Sequence, residues 1–270
     1  MIVFPNTKIN IGLNITEKRK DDFHNLETIF YPIELSDVLE FVETNGKTEF
    51  QSSGIKIDVQ ENDNLVLKAY KLLQEDYEIP NLKIHLHKNV PLGAGLGGGS
   101  SDASYMLIAL NNYFNLNIIE AELISYAQKL GSDCPFFIKN KTTFAEGTGN
   151  IFSDINLDLS QYYILLIKPN IHIRTKDAFS NIIPSKPKQS LKELIKLPIT
   201  EWKSNIYNNF ESSVFKLYPD LKKIKDTLYN MSAIYAQMSG SGATVFGIFE
   251  KEPIVSSQFK DYFVYLQRRK

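Results

Sequence analysis

The chain has one cysteine, Cys134, in 270 residues. A lone thiol excludes an intramolecular disulfide framework and fits a reducing, cytoplasmic setting. Long apolar runs are missing as well. The longest aliphatic and aromatic run, Tyr162–Ile167, is six residues and stops at Lys168-Pro169, which suits a buried strand and falls far short of the ~20 residues a membrane-spanning helix needs. The opening Met1-Ile2-Val3-Phe4-Pro5 has no basic segment followed by an apolar core, so no secretory leader is expected. Nor does either sign of charge dominate: 30 Lys+Arg stand against 31 Asp+Glu. A near-zero balance argues against nucleic acid, which needs a basic face. The expected partners are small molecules, with no nucleic acid and no membrane, and the oligomeric state is left open. No repeat or low-complexity tract interrupts a composition that is 43% hydrophobic and 23% charged. At this length such a chain can bury a sizeable core in one or two domains.

Glycine breaks this evenness. The stretch Pro91-Leu92-Gly93-Ala94-Gly95-Leu96-Gly97-Gly98-Gly99-Ser100-Ser101 gathers five of the fourteen glycines into seven positions. Without a Cβ, glycine tolerates positive φ and lets a ligand approach the backbone. The alternation of Leu82–His87 before it predicts a strand. After it, the apolar spacing of Ala103, Met106, Leu107 and Leu110 predicts a helix, with Ser100, Ser101 and Asp102 as N-cap candidates. A strand, a glycine loop and a helix N-terminus together make an anion cradle suited to nucleotide phosphates. A plain tight turn is the other reading, although one or two glycines would suffice for it.

Gly99 is followed by Ser100 rather than Lys, so this is not a Walker A loop. Gly93, Gly95 and Gly98 match the dinucleotide spacing G-x-G-x-x-G, which keeps an NAD-dependent dehydrogenase as a remote alternative. Against it, Lys88–Pro91 separate the strand from the first glycine, and the acids about 20 residues on, Glu120 and Glu122, fall in a helical pattern. The protein-kinase set fails for want of a His-Arg-Asp segment.

Along the chain, Val3–Ile15 alternates as a strand, with Lys8, Asn10, Gly12 and Asn14 on one face. That face is unusually rich in Asn for a wet one, though a wet face is the bland reading. Strands are expected from Phe23 to Ile33, at Val38–Val42 and at Ile55–Val59, the last two split by the turn signal Asn45-Gly46. Asn62-Asp63-Asn64 should cap a helix over Leu65–Asp76, and Ile119–Leu130 should be another, ending at Gly131 as its C′ residue. Ser132-Asp133-Cys134-Pro135 reads as a turn when taken alone. Thr143–Gly149 should be strand and turn, and Tyr162–Ile167 a strand that opens a second domain, giving divisions at 1–155 and 156–270. An exposed loop at Pro184–Ser190 precedes helical patterns at Leu191–Lys196, Asn208–Leu217 and Pro219–Asn230. Gly240-Ser241-Gly242 then leads into the strand Val245–Phe249, either as a ligand-lining loop or as a plain turn. Strands followed by interleaved helices make the class α+β.

The Lys8-Ile9-Asn10 strand, the Pro91–Ser101 loop and the Gly240–Gly242 loop resemble the three motifs of the GHMP kinases. Pro5-Asn6-Thr7-Lys8-Ile9-Asn10, Phe23-His24 and Gly131-Ser132-Asp133-Cys134-Pro135 narrow the resemblance to members whose alcohol substrate carries a cytidine diphosphate group. It runs from about Ile2 to Phe249. The resemblance implies a two-domain fold, with an N-terminal domain containing a left-handed β-α-β unit, a ferredoxin-like C-terminal domain and an active site in the cleft. It implies ATP with Mg²⁺, and phosphorylation of a tertiary 2-hydroxyl in isoprenoid precursor synthesis. A kinase for mevalonate or homoserine is the alternative within the family. Carried over by position, Asp133 is similar to the general base and Lys8 to its basic partner, whose charge favours the ionised carboxylate. Asn10 and Thr175 fall at substrate positions. Phe23 and Phe179 would sandwich the cytosine, with His24 at its polar edge, where taken alone they would read as core aromatics and a structural histidine. Asn64, Leu65 and Lys88 match positions near adenine and its ribose. No dedicated carboxylate cluster for Mg²⁺ stands out. Three positions depart from the family pattern: Asp22 replaces Gly, Phe23 replaces Tyr and Thr7 replaces Ala. Asp22 keeps the turn if it enters the left-handed region.

Overall fold

The computed structural model describes residues 1–57, 63–180 and 182–270. In chain order the first elements are β1 (Ile2–Val3), β2 (Asn6–Lys18), β3 (His24–Ser36), β4 (Val38–Glu43), β5 (Glu49–Gly54), α1 (Leu65–Asp76), β6 (Leu82–Lys88), α2 (Gly98–Tyr113), α3 (Glu120–Leu130) and α4 (Cys134–Lys139). They continue with β7 (Thr143–Glu146), β8 (Ile151–Asp154), β9 (Tyr163–Lys168), α5 (Thr175–Phe179), α6 (Leu191–Leu194), α7 (Ile199–Asn205), α8 (Glu211–Leu217), α9 (Pro219–Asn230), β10 (Tyr235–Met238), β11 (Val245–Phe249) and β12 (Phe263–Gln267). Two compact units form. One comprises Met1–Lys8, Glu34–Leu92 and Gly97–Lys141; the other comprises Ile9–Ile33, Gly93–Leu96 and Thr142–Lys270. The sequence division at 155/156 cuts the chain once, whereas the units interleave. The reason is that β2 and β3 share a sheet with β7 and β8, which come more than a hundred residues later.

In the first unit the sheet order is β1-β4-β6-β5. The β5 and β6 strands are parallel and α1 crosses between them, while β1, β4 and β6 pair antiparallel. A single parallel pair is not the doubly wound parallel sheet a dinucleotide fold requires, so the dehydrogenase alternative fails on topology. Leu39 and Phe41 of β4 and Leu82, Ile84 and Leu86 of β6 pack against Val66, Ala69, Tyr70 and Leu73 of α1 and against Ala103, Met106, Leu107 and Leu110 of α2. Each of the Leu, Ile, Val, Phe and Met side chains among them contributes about 1.5–3 kcal/mol on burial. The Asn64 side chain caps α1 by accepting from the Val66 amide at 2.9 Å; Asn62 lies outside the described residues. A strand was expected at Ile55–Val59, of which 58 and 59 also lie outside them. The strand that pairs with β6 is β5, at Glu49–Gly54. It sits at the sheet edge with mostly exposed side chains, so it carries no apolar alternation to read.

The start of α2 differs from expectation in an informative way. Its N-cap is Gly97, in the left-handed region at φ 70, with no side-chain cap hydrogen bond. The expected caps Ser100, Ser101 and Asp102 lie inside the first turns. Consecutive glycines let the chain leave a left-handed residue straight into helix, and Gly97 brings no side chain to cap the first turn. Gly131 ends α3 with extended backbone, φ 170, rather than as a left-handed C′ residue.

The second unit holds two antiparallel sheets, β2-β3-β7-β8 and β10-β11-β9-β12. Leu165, Ile167, Met238, Val245 and Phe249 form a core with Val214 of α8 and Leu221, Ile224 and Leu228 of α9. The strand β11 and helix α9 coincide with the sequence patterns. The other helix begins at Glu211 rather than Asn208, because the Asn208 amide donates to the carbonyls of Met238 (2.7 Å) and Gly240 (2.8 Å). The elements α7, with its buried Trp202, β8 and β12 were not anticipated. Among the described residues no helix is long and apolar enough to cross a membrane.

Candidate active site

The polar face of β2 is not wet. Lys8 is 4% exposed and Asn10 3%. Lys8 Nζ lies 3.3 Å from Asp133 Oδ2, and the Asp133 side chain is one-third exposed. Asp133 occupies the N-cap of α4, yet its side chain makes no capping hydrogen bond. An N-cap Asp ordinarily accepts from the first-turn amides; here the carboxylate turns to Lys8 instead. A Cβ placed on Gly97 would stand 3.2 Å from Lys8 Cε and 3.0 Å from the Phe137 ring. The lysine stem therefore runs against the N-cap of α2. A cation, a carboxylate and a helix N-terminus whose N-cap glycine offers no side-chain cap are thus immediate neighbours within the first unit. Such a set can hold an anion at the amides and take a proton at the carboxylate. Cys134, next in the chain, is buried, and burial pushes its thiol up to about 11, which removes it as a nucleophile at neutral pH.

The glycine loop is divided between the units. Gly93–Leu96 belongs with the second, where Ser239 Oγ donates to the Gly95 carbonyl at 2.7 Å and the Thr244 amide donates to the Ala94 carbonyl at 3.2 Å. A Cβ on Gly95 would fall 2.1 Å from the Ser239 carbonyl oxygen, and one on Gly93 would meet the His172 ring at 2.9 Å. Gly240 and Gly242 both have positive φ, and a Cβ on Gly240 would lie 3.2 Å from Asn10 Oδ1. The Gly240–Gly242 turn and Asn10 are therefore in contact, and the Asn10 amide also donates to Thr28 Oγ1 at 3.0 Å. Ser241 is only partly buried.

Gly97–Ser101 belongs with the first unit. There a Cβ on Gly98 would meet Val90 Cγ1 at 2.9 Å, whereas one on Gly99 has nothing nearer than Leu65 Cδ1 at 3.9 Å. Pro91 and Ser101 are buried, and Leu92, Leu96 and Ser100 flank the turn, with Leu96 buried. Beside this segment a cavity of about 140 Å³ is lined by Asn64, Leu65, Lys88, Leu92, Gly99 and Asp102 among others.

Lys88 lines that cavity, but its ammonium is committed. It donates to Asp37 and, at 2.7 Å, to Asp102, all three side chains being at most 3% exposed. Asp37 Oδ1 also accepts from the amides of Asn89 (2.7 Å) and Val90 (2.9 Å), fixing the approach to the glycine loop. Burial pushes the Asp102 carboxyl up to about 8, Lys88 opposing and Asp37 adding to it. Burial pulls the Lys88 ammonium down, but the two carboxylates outweigh it and hold it above its ordinary range. The Asp102 Oδ1 atom has no hydrogen-bond partner. Sequence reading missed Asp37 altogether. Its signal was a lone acid between two apolar strands, which is also how an ordinary hairpin turn looks.

In the second unit the structure brings His24 and Phe179 together, stacked with centroids 4.7 Å apart and planes 26° off parallel. Phe210 meets Phe179 edge-on at 4.7 Å. The imidazole thus covers a ring face of Phe179 that the expected sandwich leaves to a base, rather than standing at the edge. Burial, with Lys18 nearby, lowers the His24 pKa, favouring the neutral ring. Phe23 is 64% exposed, and Thr175 is exposed at the start of α5. Asp22 has φ 63, so the left-handed turn survives the loss of glycine.

The GHMP kinases N terminal domain model matches residues 64–141, and the GHMP kinases C terminal model matches 190–263. A Bacteroides fragilis protein named 4-diphosphocytidyl-2-C-methyl-D-erythritol kinase is 52% identical over 269 residues, covering 98% of each chain. The crystal structure of a 4-(cytidine 5'-diphospho)-2C-methyl-D-erythritol kinase superposes with a TM-score of 0.79 at 27% identity, covering 92% of this chain and 90% of that one. The Methanococcus jannaschii mevalonate kinase superposes with a TM-score of 0.63 at 16% identity, covering 100% of this chain and 98% of that one, which is a likeness of fold.

Proposed function

The chain belongs to the GHMP kinase family and has its two-domain α+β fold, and on that premise we propose that it transfers the terminal phosphoryl group of ATP to the 2-hydroxyl of 4-diphosphocytidyl-2-C-methyl-D-erythritol, a step in isoprenoid precursor synthesis. The observation that carries the mechanism is the contact of Lys8 with both Asp133 and the N-cap of α2. Asp133 takes the hydroxyl proton as the alcohol oxygen bonds to the γ-phosphorus; the bond from that phosphorus to the β-phosphate bridging oxygen breaks, and ADP leaves. A positioned carboxylate of this kind contributes ~10²–10⁴ in rate. Lys8 holds the carboxylate in place and meets the negative charge on the transferred group. The first-turn amides of α2, from Gly98 to Ser100, hold the phosphates, and the cavity by Leu65 and Gly99 takes the adenine side.

Mg²⁺ belongs to this reading as the counter-ion of ATP, neutralising charge on the phosphates. Among the described residues no group of three or more His, Cys, Asp or Glu gathers to hold a metal, so phosphate oxygens and water are the fitting ligands for this ion. On the acceptor side, Asn10 and Thr175 orient the substrate while Phe23, His24 and Phe179 recognise the cytosine. For a base to lie between Phe23 and Phe179, the imidazole must leave the Phe179 face, and the neutral ring then offers a donor and an acceptor. The unpaired Cys134 supports a cytoplasmic site of action.

The test is ADP release from the purified chain with ATP and Mg²⁺, offering the cytidine-linked substrate, mevalonate and homoserine in parallel. Turnover with the first alone is expected. Turnover with mevalonate or homoserine instead would replace the substrate, and turnover with none would remove the kinase reading.

A further inference from the structure

A polar cluster beside the Lys8–Asp133 pair has so far been given no role. The Asn140 amide donates to Asn6 Oδ1 at 2.7 Å, and the Asn6 amide returns a bond to Asn140 Oδ1 at 3.3 Å. The Tyr105 hydroxyl donates to Asn6 Oδ1 at 2.7 Å and accepts from Asn140 Nδ2 at 3.0 Å. Three segments meet in this triangle. Asn6 is two residues before Lys8 on β2, so both point to the same face. Asn140 is the C-cap of α4, the six-residue helix whose N-cap is Asp133, and it holds the left-handed conformation at φ 50, ψ 46. Tyr105 sits on α2, the helix whose N-terminus faces the loop. One residue earlier, Ser104 Oγ reaches the carbonyl of Cys134 at 2.7 Å, adjoining Asp133.

We propose that Asn6, Tyr105 and Asn140 are positioning residues that, together with Ser104, fix the Lys8–Asp133 pair relative to the first turn of α2. Deepening the kinase reading above, the proposal rests on Asp133 being the base. The physical argument is leverage. A six-residue helix is too short to hold its own orientation by backbone bonds alone. Ser104 pins its start and the amide triangle pins its end, both from α2, so the proton acceptor is referenced to the same helix that receives the phosphate. Asn6 carries the same reference to the strand bearing Lys8. Misplacing a catalytic group by about 1 Å costs on the order of a hundredfold in rate. Such a brace therefore acts on the chemical step rather than on binding.

The informative variant is Asn140→Gly, because glycine adopts the left-handed C-cap freely and only the side-chain bonds are lost. Tyr105→Phe is the second variant, removing one hydroxyl while leaving the Asn6–Asn140 pair. Steady-state kinetics with ATP and the cytidine-linked substrate, at a temperature well below the measured Tm of each variant, should show kcat down about tenfold or more for Asn140→Gly. KM for both substrates should hold within about twofold, with a smaller loss for Tyr105→Phe. A loss of Tm with unchanged kcat, or a rise in KM instead of a fall in kcat, would overturn the brace and leave the cluster as ordinary packing. Asp133→Asn run alongside separates the two layers. If that variant still turns over, the base assignment has failed; if it is dead while Asn140→Gly is fully active, only the brace has.

Discussion

Replacing Lys88 with Met removes the cation shared by two buried carboxylates while keeping most of the side-chain volume. Lys88 and Asp37 are at most 1% exposed and Asp102 is 3%, so water cannot substitute for the missing ammonium. Breaking a buried pair from one side costs ~3–5 kcal/mol, because the remaining charge is left uncompensated. Because the Asp102 carboxyl is pushed up to about 8, it is largely neutral at pH 7, which puts the cost toward the lower end. Asp37 partly offsets it through the amides of Asn89 and Val90. At ~2–4 °C per kcal/mol for a chain of this size, Tm should drop on the order of 10 °C. Differential scanning calorimetry measures it, and ATP KM is then taken at a temperature where both proteins are folded. The expected pattern is a large fall in Tm with little change in KM. A Tm within about 2 °C of the parent, coupled to a raised ATP KM, would refute the reasoning and make Lys88 a nucleotide contact instead.

Four further outcomes are expected. Asp133→Asn should lose ~10²–10⁴ in kcat with ATP KM unchanged, and near-parental turnover would remove Asp133 from the mechanism. Gly99→Ala places a methyl in the cavity without touching the fold, since its nearest neighbour is 3.9 Å away; ATP KM should rise about tenfold, equivalent to ~1.4 kcal/mol, and an unchanged KM would mean the cavity takes no part of the nucleotide. The Asp102 carboxyl lies at about 8 in the folded chain, above its unfolded value, so the native state holds the extra proton. Its contribution to stability is therefore complete below pH ~4 and is lost as pH rises toward 8, and Tm measured across that range should fall less steeply in Asp102→Asn, with parallel curves counting against it. Phe179→Ala should raise KM for the cytidine-linked substrate and leave that for ATP alone; the reverse would mean the two ends of the site are assigned backwards.

The features legible in the sequence were those written in neighbouring residues. The apolar spacing of α2 and α9, the Asn64 cap and the left-handed Asp22 turn all depend on positions within a few residues of each other. The α+β class followed from them. Partners distant in sequence were not legible. Lys88 and Asp37 are 51 residues apart, and nothing local to either names the other. The same holds for Asn6 and Asn140, 134 residues apart. The serines at 100 and 101 misled because their capping preference is a local rule, and the glycine-rich approach had already begun the helix at Gly98. Asp133 was ambiguous for a similar reason. An acid before Pro135 at a helix start is what a structural cap looks like, yet in the fold its carboxylate turns away from the helix toward Lys8.

The glycines of the loop answer to different neighbours: Gly95 to the Ser239 backbone, Gly97 to Lys8 and Phe137, Gly98 to Val90, Gly93 to His172, and Gly99 only to Leu65 Cδ1 at an ordinary contact distance of 3.9 Å. A protein engineer seeking to change which nucleoside triphosphate this enzyme accepts therefore has one position in the motif, residue 99, where a graded series of side chains can be tried. Changes at the others would confound altered selectivity with a disturbed scaffold.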